Sequence, residues 1–309
     1  MILNTGSRTD IPAYFSEWFY NRIKEGYVLV RNPYYPEQIL RYELDPDVVD
    51  CLIFCTKNPK PMLSRMAEID KFHQLWFVTI TPYEKGIEPY VPPKEEVMES
   101  LKQLSDKVGV NCVGWRYDPI FISEKYSLEY HVNTFDRMAQ NLSGYVDHCV
   151  ISFIDLYAKT KRNFPAVRAV NKEEREFVGQ QFVKIGRKYG IEIRSCCEGT
   201  ELEKFGVNIG GCMTQDVVER AVGTSLEIPK KKSAREECNC LLGNDIGVYN
   251  TCGHGCIYCY ANYDYKSVTQ NRKYHDPTSP LLIGKLQESD VVKVAKQERY
   301  SNGQLRFDI

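Results

Sequence analysis

Apolar positions in this chain fall into short runs separated by longer amphipathic stretches. Ile2 to Thr5 predicts an opening strand, closed by S-R-T-D-I-P because Pro12 has no N–H for a strand ladder. Helical spacing through Trp18, Phe19 and Ile23 ends at Gly26. Further strands are predicted at Tyr27 to Val30, Cys51 to Cys55, Leu75 to Ile80, Cys112 to Trp115, Cys149 to Phe153 and 191–195 (I-E-I-R-S). Between them lie a helix with Val97, Leu101 and Leu104 on one face, a helix over about 127–142, and a charged helix over 172–189 with Phe177, Phe182 and Ile185 facing inward. Towards the end, L-L-I-G reads as a buried plug and Gln287 to Gln297 as helical.

Strands alternating with helices in this way predict parallel βα units, and six to eight units predict an α/β fold of (β/α) barrel type. The strands end in S-R-T-D, R-N-P, T-K-N-P, T-P-Y, R-Y-D-P, I-D and R-S-C-C. Pro, Asn and Asp at such places make turns. Arg8, Arg31, Lys57 and Arg116 beside them are expected to converge on one mouth, as a substrate or cofactor pocket, because parallel strand ends share one face.

Composition narrows the class. The 309 residues carry a net charge of −1, which gives no general attraction to nucleic acid or membrane surfaces. No apolar run approaches the roughly 18 residues of a membrane span, and the N-terminus lacks the pattern of a signal peptide. A cytoplasmic location is expected. There the 12 Cys favour metal binding over disulfides. The run Lys230, Lys231 and Lys232 reads as a solvated loop rather than a ligand contact.

The cysteines divide into two sets. Cys51, Cys55, Cys112 and Cys149 sit in apolar stretches and read as small core residues. The other eight fall between 196 and 259. Cys252, Cys256 and Cys259 stand in C-x3-C-x2-C spacing within C-G-H-G-C-I-Y-C-Y-A-N, and thiolate sulfur suits iron–sulfur clusters or zinc. Three ligands leave a metal centre open, whereas a structural zinc or a simple electron carrier takes four. Cys197, Cys212, Cys238 and Cys240 would form a second, closed set, for an auxiliary 4Fe–4S cluster or a structural zinc, with Cys197 taken over its neighbour Cys196.

The three-cysteine run, with Tyr258 before its last Cys, resembles the radical SAM superfamily signature, and Y-C-Y-A is similar to the branch that includes spore photoproduct lyase. The resemblance implies a 4Fe–4S cluster on Cys252, Cys256 and Cys259, whose open iron takes the amino and carboxylate groups of S-adenosylmethionine. It also implies a 5′-deoxyadenosyl radical acting on a substrate it does not specify, Tyr258 against the adenine end of the cofactor, and a flavodoxin or ferredoxin as reductant. In that family the Cys loop follows the first barrel strand, yet only 50 residues follow Cys259 here. A circular permutation reconciles the two. Residues 1–195 supply most of the barrel, and residues 196–309 form a Cys-rich segment that completes it, with Asp245 to Asn250 as the motif strand. Nearly the whole chain also resembles a bacterial family of unknown function, through S-R-T-D-I-P, T-K-N-P-K-P-M, W-R-Y-D-P-I and the Cys-rich end. Rival readings are a non-catalytic iron–sulfur electron carrier, a zinc-stabilised binding module with His254 as fourth ligand, and a hydrolase or lyase working at the barrel mouth.

Overall fold

A computed structural model describes residues 1–229, 238–241 and 243–305; Lys230, Lys231 and Lys232 lie outside them. The strands are β1 Ile2–Asn4, β2 Tyr27–Arg31, β3 Gln38–Glu43, β4 Cys51–Thr56, β5 Gln74–Thr79, β6 Val113–Ile120, β7 His148–Phe153, β8 Glu192–Ser195, β9 Thr224–Leu226, β10 Val291–Val294 and β11 Ser301–Leu305. The α-helices are α1 Ile11–Tyr14, α2 Ser16–Glu25, α3 Lys60–Leu63, α4 Lys94–Val108, α5 Leu128–Leu142, α6 Ala158–Asn163, α7 Lys172–Tyr189, α8 Gln215–Val222 and α9 Tyr265–Arg272. Local chemistry sets several ends. Asn171 and Glu174 form a reciprocal capping box at the start of α7, Ser127 caps α5, and Gly26 and Gly190 close α2 and α7 in the left-handed conformation.

The fold is mixed α/β around a six-stranded, wholly parallel sheet of order β1-β4-β5-β6-β7-β8. Its strands are buried on both faces, which is why they read as continuous apolar runs. Trp115, Phe135 and Phe182 stack face to face between β6, α5 and α7, with Tyr117 set edge-on against the last two. One hydrophobic cluster runs from Met1 to Tyr300 and includes Val217, Val218, Leu226, Ile246 and Leu282 beyond residue 195. Each sheet edge carries a further parallel bridge: Asn4 with Asp245 outside β1, and Arg194 with Asn208 outside β8. The segment from Cys238 to Asp245 touches both edges. Leu241 N–H donates to Met213 O (2.8 Å), and the Asn4 side chain donates to Gly243 O (2.5 Å). No strand pairing joins β8 to β1 among the described residues.

Four expectations change. Asp245 to Asn250 forms no strand; only Asp245 bridges, to Asn4. Tyr27 to Arg31 is not a strand of the parallel sheet. The turn through Pro33 and Pro36 folds it back antiparallel on β3, and β10 extends this pair to a separate three-stranded sheet. Residues 291–294 are that edge strand rather than a helix, since V-V-K-V is β-branched and finds backbone partners on β3. On α7, Phe182 and Ile185 are buried, but Phe177 is 40% exposed. Leu281 and Leu282 are buried as expected. Among the described residues, no helix is long and apolar enough to cross a membrane.

Candidate metal centres

The carboxyl ends of a parallel sheet gather their loops on one face. The loop carrying Cys252, Cys256 and Cys259 lies there. Asn4 accepts from Ile246 N–H, so the chain entering the loop runs beside β1. Ile257 N–H then donates to Ile87 O, and Tyr90 N–H to His254 O, which fastens the loop to the connection after β5. Gly253 and Gly255 are required by the enclosure. A Cβ on Gly253 would stand 2.3 Å from Arg272 and 2.8 Å from the Tyr14 ring. Gly255 has φ +69°, and its Cβ would meet the Tyr90 ring at 2.9 Å. Gly255→Ala is expected to cost about 1–2 kcal/mol of stability through that backbone conformation, and to lower iron uptake in anaerobic reconstitution below that of wild type.

Burial pushes the thiols of Cys252, Cys256 and Cys259 above the ordinary value, so a bare thiol there keeps its proton. A bound metal reverses this, because it takes the thiolate. Backbone N–H groups already point at the sulfurs, from His254 to Cys252 and from Ala261 and Asn262 to Cys259. Such bonds stabilise cluster thiolates and tune them. Asn262 also holds the loop by donating to Cys252 O (2.8 Å), while its buried Oδ1 has no partner. The three sulfurs do not all fall within 4.8 Å of one another. That spread suits a cluster whose thiolates sit on different irons, and the donor set fits a three-cysteine iron–sulfur centre.

His254 does not complete a zinc set in this arrangement. Its Nε2 faces Asp10 Oδ2 (2.8 Å) and its Nδ1 faces the Tyr14 hydroxyl (3.0 Å), so both ring nitrogens are engaged. Asp10 is fixed in turn by Ala13 N–H, Thr56 Oγ1 and Lys57 N–H, at 2.7–3.0 Å. Beside it, Glu88 is 1% exposed and accepts from Lys57 Nζ (2.8 Å), Thr81 Oγ1 (2.7 Å), Lys94 Nζ and the Tyr258 hydroxyl. Burial alone would raise its carboxyl, but the two ammonium groups outweigh that and bring it down to about 2. Lys57 is close enough to Cys256 and Cys259 for its charge to act on both.

A second group of sulfurs gathers at the end of β8. Cys196 Sγ is 3.5 Å from Cys212 Sγ, Cys212 Sγ is 3.2 Å from Cys240 Sγ, and all three lie within 4.8 Å of one another. This cluster could bind a metal. Cys238 lies next to Cys196, Cys240 and Cys197, outside the 4.8 Å group. The place expected for Cys197 is therefore taken by Cys196. Cys196 continues the line of β8, with its N–H on Ile151 O, whereas Cys197 turns away at φ +59° and stands beside Cys238.

Of the four expected cations, Arg31 stands apart from the other three. Lys57 reaches the first Cys loop, as described. Arg116 lies on β6, doubly bonded to Asp118 and near Cys212 and Cys55. Arg8 donates to Asp245 O (3.4 Å) and so braces the segment that leads into the Cys loop. Arg31 sits in the separate sheet on Asp290 (2.5 Å), because β2 left the parallel sheet. Tyr258 packs edge-on to Tyr83 at 6.0 Å with its hydroxyl on Glu88. Asp10 and Glu88 were not singled out from sequence. Asp10 had a signal as an acid ending the first strand, but Glu88 in K-G-I-E-P reads as a solvated loop residue. Glu198, after β8, is half-buried; burial lifts its carboxyl to about 8 against the pull of Phe153 N–H and Arg175. Of the core cysteines, Cys51 and Cys149 are fully buried, while Cys55 and Cys112 are half-buried.

A search of curated proteins finds no match. A family model described as a domain of unknown function, DUF1848, matches residues 2–261, ending just past the third cysteine of the first loop. With most of its length covered, from β1 through both cysteine groups, the chain belongs to the DUF1848 family.

Proposed function

We propose that this protein is a radical SAM-type enzyme whose 4Fe–4S cluster is held by Cys252, Cys256 and Cys259. The observation that carries the reading is the cradle itself. Three half-buried cysteines in C-x3-C-x2-C spacing, with N–H donors on Cys252 and Cys259, lie on a glycine-shaped loop at the carboxyl ends of a parallel sheet. When bound, the cluster and S-adenosylmethionine supply a 5′-deoxyadenosyl radical able to take hydrogen from a substrate. The chain's own groups hold and shape that site. Asp10, His254 and Tyr14 clamp the loop from the β1 side. Glu88 neutralises Lys57 and Lys94 so that both can stay half-buried beside Cys256. The unpartnered Asn262 Oδ1 is an acceptor suited to a cofactor's amino group. The segment 244–246 alongside β1 supports a permuted barrel, in which the motif segment lies outside β1 in space and follows it in sequence. Electrons would come from a flavodoxin or ferredoxin.

The test is anaerobic purification with iron and sulfide analysis, then dithionite and S-adenosylmethionine, with 5′-deoxyadenosine measured. About four irons per chain and formation of 5′-deoxyadenosine are expected. A chain without iron at Cys252, Cys256 and Cys259, or an iron-loaded chain that leaves the cofactor intact, would refute the reading.

A further inference from the structure

We infer that Cys196, Cys212, Cys238 and Cys240 bind a single zinc ion as a closed tetrathiolate, in place of the auxiliary 4Fe–4S cluster expected from the sequence, and that this ion fastens the segment crossing between the two edges of the parallel sheet. The inference stands apart from the function proposed for the first cysteine group.

The spacing of the sulfurs decides the kind of metal. A tetrahedral zinc with Zn–S bonds of about 2.3 Å sets its thiolates about 3.8 Å apart. Cys196, Cys212 and Cys240 have neighbouring sulfurs at 3.5 and 3.2 Å, all within 4.8 Å. A cubane puts every thiolate on a different iron, with sulfides between, and spreads them wider than the Cys196, Cys212 and Cys240 sulfurs. Nor are these disulfides, whose S–S bond is about 2.05 Å; all twelve cysteines are free. Sulfurs packed at 3.2 Å are closer than van der Waals contact, and a shared cation relieves that crowding. Cys238 is next to Cys196 and Cys240, but its sulfur lies outside the 4.8 Å group of the other three, so it closes the set by turning onto the ion.

The surroundings match a closed site. Met213 N–H donates to Cys240 Sγ (3.4 Å), and Cys240 N–H reaches Cys238. Half-buried Arg116 lies near Cys212 and offsets part of the doubly negative charge of zinc with four thiolates. The ligands come from three places that must stay together: the end of β8, the Gly211–Met213 loop, and the start of the crossing segment. That segment next donates to Met213 O and then runs along Asn4 before entering the Cys252 loop. An ion here pins the far end of the span that positions the first cysteine group.

The decisive sample is the full chain with Cys252→Ala, Cys256→Ala and Cys259→Ala together, which removes the first site. Elemental analysis is expected to find about one zinc per chain, and zinc-edge absorption spectroscopy four sulfurs at about 2.3 Å with no iron neighbour. In the otherwise native chain, Cys240→Ser and Cys196→Ser are each expected to cut bound zinc at least about tenfold, while Cys197→Ser retains it. Iron with sulfide in the triple variant would overturn the inference in favour of a cluster. Zinc kept in Cys196→Ser but lost in Cys197→Ser would overturn the ligand set, and a metal-free chain with these cysteines oxidised would overturn both. The iron content of the wild-type chain reports separately on the first site. The triple variant keeps all four ligands, so its spectrum does not depend on the Ser variants folding.

Discussion

Glu88→Gln is expected to destabilise the folded chain by about 3 kcal/mol at neutral pH, out of proportion to an isosteric change of one atom. The carboxylate is the counter-charge for both Lys57 and Lys94, and its side chain is shut off from water. Removing one partner of a buried ion pair leaves the others uncompensated, which costs about 3–5 kcal/mol. The shift of the carboxyl gives a similar size, since a fall from the ordinary 4.5 to about 2 corresponds to about 3 kcal/mol. The sign follows from proton binding. Below 4.5 the unfolded carboxyl takes a proton that the folded one refuses until about 2. This contribution is therefore complete above 4.5 and lost as the pH falls towards 2. Urea unfolding of wild type and Glu88→Gln should show the full gap at pH 7, narrowing to about 1 kcal/mol at pH 3. A gap that is the same at both values would mean the ion pairs are not its source.

That network was invisible in the sequence, and the reason is general. Lys57 and Tyr258 could be singled out, because one follows a strand end and the other sits in the Cys run. Glu88 could not, since its burial depends on the loop after β5 folding over the Cys loop, and nothing local encodes a contact between residues 88 and 258. The six parallel strands were legible, because burial on both faces writes apolar runs such as C-L-I-F-C and L-W-F-V directly into the chain. Tyr27 to Val30 has the same apolar character, so pattern alone could not tell that its partner is the adjacent β3 rather than a distant parallel strand. Arg31 left the mouth with it. Cys196 and Cys197 are a subtler case. Adjacent strand residues point to opposite sides, and only the left-handed turn at Cys197 decides which sulfur meets Cys212. The bridge of Asp245 to Asn4 puts a segment late in sequence beside the first strand in space, a placement no local pattern encodes.

Cys256→Ala should have the largest effect of any single change. The variant is expected to lose iron from the first site and to lower 5′-deoxyadenosine formation by more than about 100-fold. Changes to the outer partners of a metal already cost 10–100-fold, and this change removes a ligand. Cys256 sits between the other two cysteines in sequence, within reach of the Lys57 and Glu88 charges, and in the proposed centre Cys252 and Cys259 are ligands already, so neither is expected to replace it. Cys149→Ala supplies the control. That thiol is fully buried on β7 and belongs to no metal group among the described residues, so its loss should lower stability slightly and leave iron and 5′-deoxyadenosine unchanged. Zinc at the second site should survive in both variants. If Cys256→Ala keeps its iron and still releases 5′-deoxyadenosine, the loop is not the cluster site. If iron is lost from Cys149→Ala as well, the loss in Cys256→Ala reflects a loosened fold rather than a missing ligand.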